Sequence, residues 1–387
     1  MDAPAIRSNS NFEHGIAQFS FGLYGMVEKH GNELVSPYSV ASALCLLMLG
    51  TDGTTKDQMM SSILKDEKLK YVNISYKGLN DKLVAKTDTG VTLSIANRLF
   101  GNQMYTLLDS FTKRALEYYG SEMKLLDFAT EHEQSRIKIN NWIASQTKDK
   151  ILDMIPENIL DANTLLVLAN AIYFKGAWQR PFDQKQTTKM NFVVDENHHR
   201  EVDMMFAEYM ALSGKNAEFS CKALQLPYGD GQLSMVFMLP NDKGGIKILE
   251  DRLTFDSFHS IVSGLHDQKT MIHIPKFIVE AKYDLKPILK HLGITEIFDP
   301  ATANFSKMIP PEINSKSIYV SDARHKTYVE VNEEGSEAAG ATTIEVEIKS
   351  MPFEFTADHP FVFVIYDVET EIPLFIGRYA DPPMSRD

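Results

Sequence analysis

Apolar residues at Phe12, Ile16, Phe19, Leu23, Met26 and Val27 recur close to helical spacing and predict an amphipathic helix over residues 12–29. The stretch SPYSVASALCLLMLG then opens on Ser36 and Pro37 at a capping position and stops at Gly50, a second helix with a marked start and end. DSFTKRALEYYG and EHEQSRIKINNWIASQTKDKI read as further helices. From about Leu165 the period changes. LLVLANAIYFKGAW is long, apolar and rich in strand formers, which suits a central strand buried on both faces. KALQLPY, LSMVFMLP, TMIHIPKFIVEAKYDL, KTYVEVNEEG, FVFVIYD and IPLFIGRYADP follow as strands. Helices first and strands later, without regular alternation, predict an α+β domain with antiparallel or mixed sheets.

One segment, Asn332 to Pro352, changes pattern halfway. It opens on small residues, Gly335, Ser336, Ala338, Ala339, Gly340 and Ala341. It then alternates, with Thr342, Ile344, Val346 and Ile348 set against Thr343, Glu345 and Glu347. In an extended chain Ser336, Ala338, Gly340 and those four share one face, small or apolar throughout, and the other face carries every charge. The first half is a poor strand former, and no tight two-residue turn separates it from KTYVEVN. Lys349 follows as the only Lys or Arg between Lys326 and Arg378.

Composition narrows the function classes. The chain has 387 residues and a net charge of -13, which argues against general nucleic-acid or membrane-surface binding. No linker, repeat or low-complexity tract divides it, so one domain over residues 1–387 is expected. Of its two cysteines, Cys45 sits in an apolar run and reads as a buried thiol. Disulfides are not expected to hold the fold, which is compatible with a reducing compartment. No leader-like segment opens the chain as given, so cytoplasmic and extracellular locations both stay open. Two glycosylation triplets begin at Asn73 and Asn304.

Enzyme motifs are missing. There is no GxSxG, HExxH, P-loop or GxGxxG after a strand, and no Cys/His cluster for a metal, so no cofactor and no catalysis are expected. His198 and His199 lie in a polar turn-like stretch and read as a solvated loop. Lys65, Lys68, Lys70, Lys77, Lys82 and Lys86 are interleaved with acids and read as a solvated helical face rather than a polyanion site.

VEVNEEGSEAAGAT resembles the hinge of the serpins, the serine protease inhibitor family. LVSPYSVASALCLLMLGTDGTT, LLVLANAIYFKGAWQRPFD, LPYGDGQLSMVFMLPND, IHIPKFIVEAKYDL and HPFVFVIYDVETEIPLFIGRYADP extend the resemblance over nearly the whole chain, in the family's order. It implies a single domain of about nine helices and three mostly antiparallel or mixed sheets, with an exposed reactive loop at about 333–359. It also implies a suicide mechanism. A target protease attacks the loop as substrate and forms an acyl-enzyme. The cut loop then joins the central sheet and carries the protease away before deacylation.

Carried over by position, Glu333, Glu334, Gly335, Ser336, Glu337, Ala338, Ala339, Gly340 and Ala341 form the hinge. Thr342, Ile344, Val346 and Ile348 enter the sheet, and the scissile bond is Lys349–Ser350. Ser36, Ser39, Asn170 and His325 match the family's polar cluster beneath the sheet, and Trp178 the aromatic where insertion starts. A basic residue before the scissile bond calls for the acidic pocket of a trypsin-like serine protease. The expected partner is such a protease in covalent complex with a monomer, without nucleic acid, membrane or heparin-like polyanion. A shifted register would instead offer Met351 or Phe353 to a chymotrypsin-like enzyme. A non-inhibitory carrier or chaperone is the alternative function.

Overall fold

Ser36 begins a helix because its hydroxyl accepts from the Ser39 N–H while Pro37 takes the first helical position, where no amide hydrogen is needed. The computed structural model describes residues 10–64, 69–86, 90–310, 318–334 and 351–384. Among these are nine α-helices: α1 (Ser10–Met26), α2 (Pro37–Met48), α3 (Gly53–Leu64), α4 (Leu69–Ala85), α5 (Asp109–Tyr119), α6 (His132–Gln146), α7 (Ile246–Asp251), α8 (Phe255–Ser263) and α9 (Leu285–His291). The predicted helices return as α1, α2, α5 and α6. Gly120 closes α5 in the left-handed conformation at φ 58°, which glycine adopts without strain.

The strands form two hydrogen-bonded sheets among the described residues. The smaller runs β10 (Phe277–Asp284), β11 (Val320–Val331), β4 (Leu166–Gly176), β2 (Val91–Asn102), β3 (Lys124–Leu126). The larger runs β1 (Glu33–Val35), β14 (Pro373–Tyr379), β13 (Phe361–Asp367), β8 (Leu233–Pro240), β7 (Cys221–Tyr228), β6 (His199–Asn216), β9 (His266–Pro275), β12 (Phe353–Thr356), with β5 (Thr188–Val193) on β6. Three sheets become two by hydrogen-bond continuity because the 18-residue β6 serves both halves. It pairs with β7 through Leu212–Asn216 and with β9 through Met204–Ser213.

The five-stranded sheet is covered on both faces. Along β4 the even positions Leu166, Leu168, Ile172 and Phe174 join the main core, and the odd positions Val167, Ala169, Ala171 and Tyr173 join a second core with Ile139 and Ile143 of α6. This explains the continuous apolar run. Helix α2 packs between the two sheets, against β14 on one side and β2 and β4 on the other, so all twelve of its residues are buried. Cys45 lies within it, and burial pushes its thiol up to about 12.

Two polar stretches differ from expectation or refine it. Lys86 is not on a solvated face. It is buried and its Nζ contacts Asp367 Oδ1 at 2.6 Å and Glu369 Oε2 at 3.1 Å. Of the other lysines in that run, Lys65 and Lys68 lie outside the described residues. His198 is in the β5–β6 turn, exposed and 2.8 Å from Asp195, whereas His199 already pairs with Val193 as the first residue of β6. No group of three metal-binding side chains occurs among the described residues.

Candidate functional site at the β4–β11 seam

Strand β11 runs antiparallel to β10 but parallel to β4, which it meets at Val320↔Leu166 and, after a one-residue shift, in continuous register from Asp322↔Val167 to Glu330↔Lys175. The register places a polar row across the sheet. Tyr283, His325, Asn170 and Asn97 are consecutive partners on β10, β11, β4 and β2. Each replaces an apolar residue on the face toward α2. Above β4 and β11 the α2 N-terminus supplies what they bond to. The Ser36 N–H donates to His325 Nε2 at 2.9 Å, and Asn170 Nδ2 donates to both Ser39 O and Ser39 Oγ at 2.8 Å. Ser36 Oγ donates to Leu374 O at 2.6 Å in the other sheet. Asn97 Oδ1 accepts from Asn170 Nδ2 and from Ser39 Oγ.

A backbone N–H can only donate, so His325 Nε2 is the acceptor and Nδ1 carries the proton that goes to Asn170 Oδ1. The ring is therefore neutral. Burial holds its pKa down to about 3, because a charge there would be dehydrated. The sign follows. In the unfolded chain the ring titrates near 6.5 and takes up a proton that the folded chain refuses until about pH 3. Stability is therefore full above pH 6.5 and falls as pH drops through that window, by up to about 1.4 kcal/mol per unit from this group. Urea unfolding from pH 7 to 4 should show a steeper loss for the native chain than for His325→Gln. Equal slopes would refute the assignment.

The sheet's upper end is held by a second cluster. Trp178 stacks on Tyr228 with ring centres 4.3 Å apart. Its Nε1–H donates to Asn332 O at 2.8 Å, and its backbone N–H donates to Glu334 O at 3.0 Å. Glu333 is buried, yet its carboxylate receives Thr187 Oγ1 at 2.8 Å and Lys276 Nζ at 2.9 Å. Burial alone would raise its pKa, but the hydrogen bonds from Lys276 and Thr187 outweigh it and hold the carboxyl below its usual range. Lys175 Nζ reaches Glu334 Oε2 at 2.7 Å. Trp178→Phe should lower unfolding stability by about 1 kcal/mol for the lost hydrogen bond, with a further cavity term. A guanidinium midpoint unchanged from the native chain would contradict that anchoring.

Ser36, Ser39, Asn170 and His325 thus meet in one network, while Trp178 binds the chain at Asn332–Glu334, at the end of β11. The sequence reading missed Asn97, Tyr283, Thr187 and Lys276. Of the expected hinge, Glu333 and Glu334 are placed and Gly335 to Ala341 lie outside the described residues. So do Thr342, Ile344, Val346, Ile348, Lys349 and Ser350. The far end of the expected loop is shorter than 333–359, because Phe353–Thr356 is β12, paired parallel with β9 from Phe353↔Thr270. Met351, just before it, is 94% exposed.

The architecture is a single α+β domain whose five-stranded sheet has a parallel seam between β11 and β4. The serpin (serine protease inhibitor) family model matches residues 14–382, and the chain belongs to that family. It is 34% identical over 380 residues to a leukocyte elastase inhibitor of Xenopus laevis, covering 96% of this chain and 100% of that protein. It is 36% identical over 370 residues to human Serpin B8, covering 94% and 96%. Among solved structures, uncleaved ovalbumin superposes with a TM-score of 0.88 at 30% identity, covering 96% of this chain and 100% of that one.

Proposed function

We propose that the protein inhibits trypsin-like serine proteases by being cut once, between Lys349 and Ser350. The protease serine Oγ attacks the Lys349 carbonyl carbon and its proton passes to the protease histidine. The Lys349–Ser350 bond breaks, the proton goes to the departing Ser350 amine, and an ester joins Lys349 to the protease. Insertion of the freed segment then removes the ester from its catalytic surroundings.

The parallel β4–β11 seam carries this reading. A segment that leaves β11 and folds back along it is antiparallel to β11. Because β4 is parallel to β11, the same segment is antiparallel to β4 as well. One parallel ladder is exchanged for two antiparallel ones, with backbone groups satisfied throughout. Ser336 to Ile348 is thirteen residues, against twelve in β11 and eleven in β4. Insertion would bury Ile344, Val346 and Ile348, at roughly 1.5–3 kcal/mol each. The polar row beneath the seam would control its opening, and Trp178 would hold the hinge root.

Lys349 alone supports trypsin-like selectivity, whereas the names of several relatives specify leukocyte elastase. The exposure of Met351 favours a second reading, a chymotrypsin-like target. Pro352 weighs against it, because the bond after Met351 leads into a ring nitrogen without N–H, crowded by its own ring. The test is incubation with trypsin, a denaturing gel and mass measurement of the released fragment. A covalent band with a fragment starting at Ser350 is expected. Clean cleavage without a complex would instead fit a carrier or chaperone.

A further inference from the structure

Phe353 opens β12 against Thr270 of β9, and Lys222 of β7 pins the strand from the side. Its Nζ donates to Glu354 O at 3.0 Å and lies 6.0 Å from the centre of the Phe353 ring. Pro352 locks its own φ and confines the residue before it to extended conformations. Met351 is therefore held extended at the mouth of a pinned strand, with its side chain 94% exposed. A lone apolar residue on a surface is ordinary. This one differs in two respects. Its backbone freedom is already restricted, and it stands two residues past the bond proposed to be cut. In a peptide laid extended through a protease cleft, residues two apart project to the same side, about 7 Å apart. The side chains of Lys349 and Met351 then enter the enzyme together.

We propose that Met351 is a second specificity-determining residue, filling an apolar subsite of the target protease on the leaving-group side, two residues beyond the cut. This rests on the reading above and narrows it: the target takes a lysine before the bond and an apolar side chain after it. The exposure of Met351 thereby gains a use that leaves the cut after Lys349. A thioether chain adapts to a subsite of irregular shape. Because the backbone at Met351 is ordered before docking, little of the contact is offset by ordering entropy. The contact lasts only until the bond breaks and the fragment beginning at Ser350 parts from the protease. It therefore acts on formation of the acyl-enzyme and not on the later competition between insertion and hydrolysis.

The experiment measures, in the full chain, the association rate constant with trypsin and the number of inhibitor molecules consumed per trypsin trapped. Met351→Gln is close in shape and uncharged, but its amide loses water in an apolar subsite. Association should slow by about fivefold or more. Met351→Leu keeps volume and apolarity and should stay within about twofold of the native chain. The number consumed should be the same for all three. Their thermal midpoints should coincide because the side chain is exposed, which separates recognition from folding. A glutamine variant as fast as the native chain, a leucine variant slowed as much as glutamine, or a changed number consumed at an unchanged rate overturns the assignment. If trypsin cuts after Lys349 without being trapped, the inhibitory reading fails, and the same ranking of cleavage rates upholds Met351 as a recognition residue. A released fragment that does not begin at Ser350 overturns both.

Discussion

Ala338→Arg is expected to turn the protein from an inhibitor of trypsin into its substrate. Ala338 belongs to the small and apolar face that runs from Ser336 to Ile348. In the proposed insertion that face would meet the core side of the sheet, where a guanidinium would be stripped of water without an anion. Even after relaxation such a charge costs several kcal/mol. Insertion competes with hydrolysis of the acyl ester, and every 1.4 kcal/mol changes a ratio tenfold. The balance between trapping and release should therefore move by about a hundredfold or more toward release. The readout is the ratio of covalent complex to cleaved inhibitor on a denaturing gel. Ala339→Arg is the companion variant. Its side chain falls on the charged face with Glu337, Glu345 and Glu347, and trapping should largely survive. If both variants behave alike, the alternation of faces is wrong.

Lys349→Ala should abolish useful inhibition of trypsin. The lysine ammonium would be desolvated against a carboxylate in the protease pocket, and truncating one partner of such a pair costs about 2–5 kcal/mol. That corresponds to a loss of roughly thirty- to several-thousand-fold in the association rate constant. Lys349→Arg should retain inhibition. Unaltered trypsin inhibition by the alanine variant would assign the reactive bond elsewhere, with Met351 next in line.

Much of the fold could be read from the chain because its periods are clean. Strand β4 reads as a doubly buried strand since both of its faces are apolar, and α2 announces its start with Ser36–Pro37. Strand β11 is half legible. Its second part, KTYVEV, alternates well, but SDARH carries charges that a central strand rarely tolerates. The structure pairs them: Arg324 with Asp322 at 2.8 Å, and Lys326 with Glu280 at 2.6 Å. Such compensation is made by tertiary neighbours and leaves no local trace. Strand β2 was missed although its signal exists. Val91, Leu93, Ile95, Asn97 and Leu99 alternate with one polar residue, as Leu166, Leu168, Asn170, Ile172 and Phe174 do in β4. Two apolar faces each interrupted by one asparagine suggest a shared buried network. Tyr283, Thr187 and Lys276 had no such mark, because what recruits them is register across strands distant in sequence.

Asn73 also belongs to a glycosylation triplet, and the fold gives that triplet a meaning. The side chain is 3% exposed on α4, and its Oδ1 accepts from the Tyr119 hydroxyl at 2.7 Å, beside the ring of Tyr76. A sugar attached there during synthesis has no room once α4 settles against α5. Every modified molecule would be held short of its native packing and offered to quality control instead. Passage through a glycosylating compartment would thus tax the yield of this chain in proportion to how often Asn73 is modified, while synthesis elsewhere would leave the yield untouched.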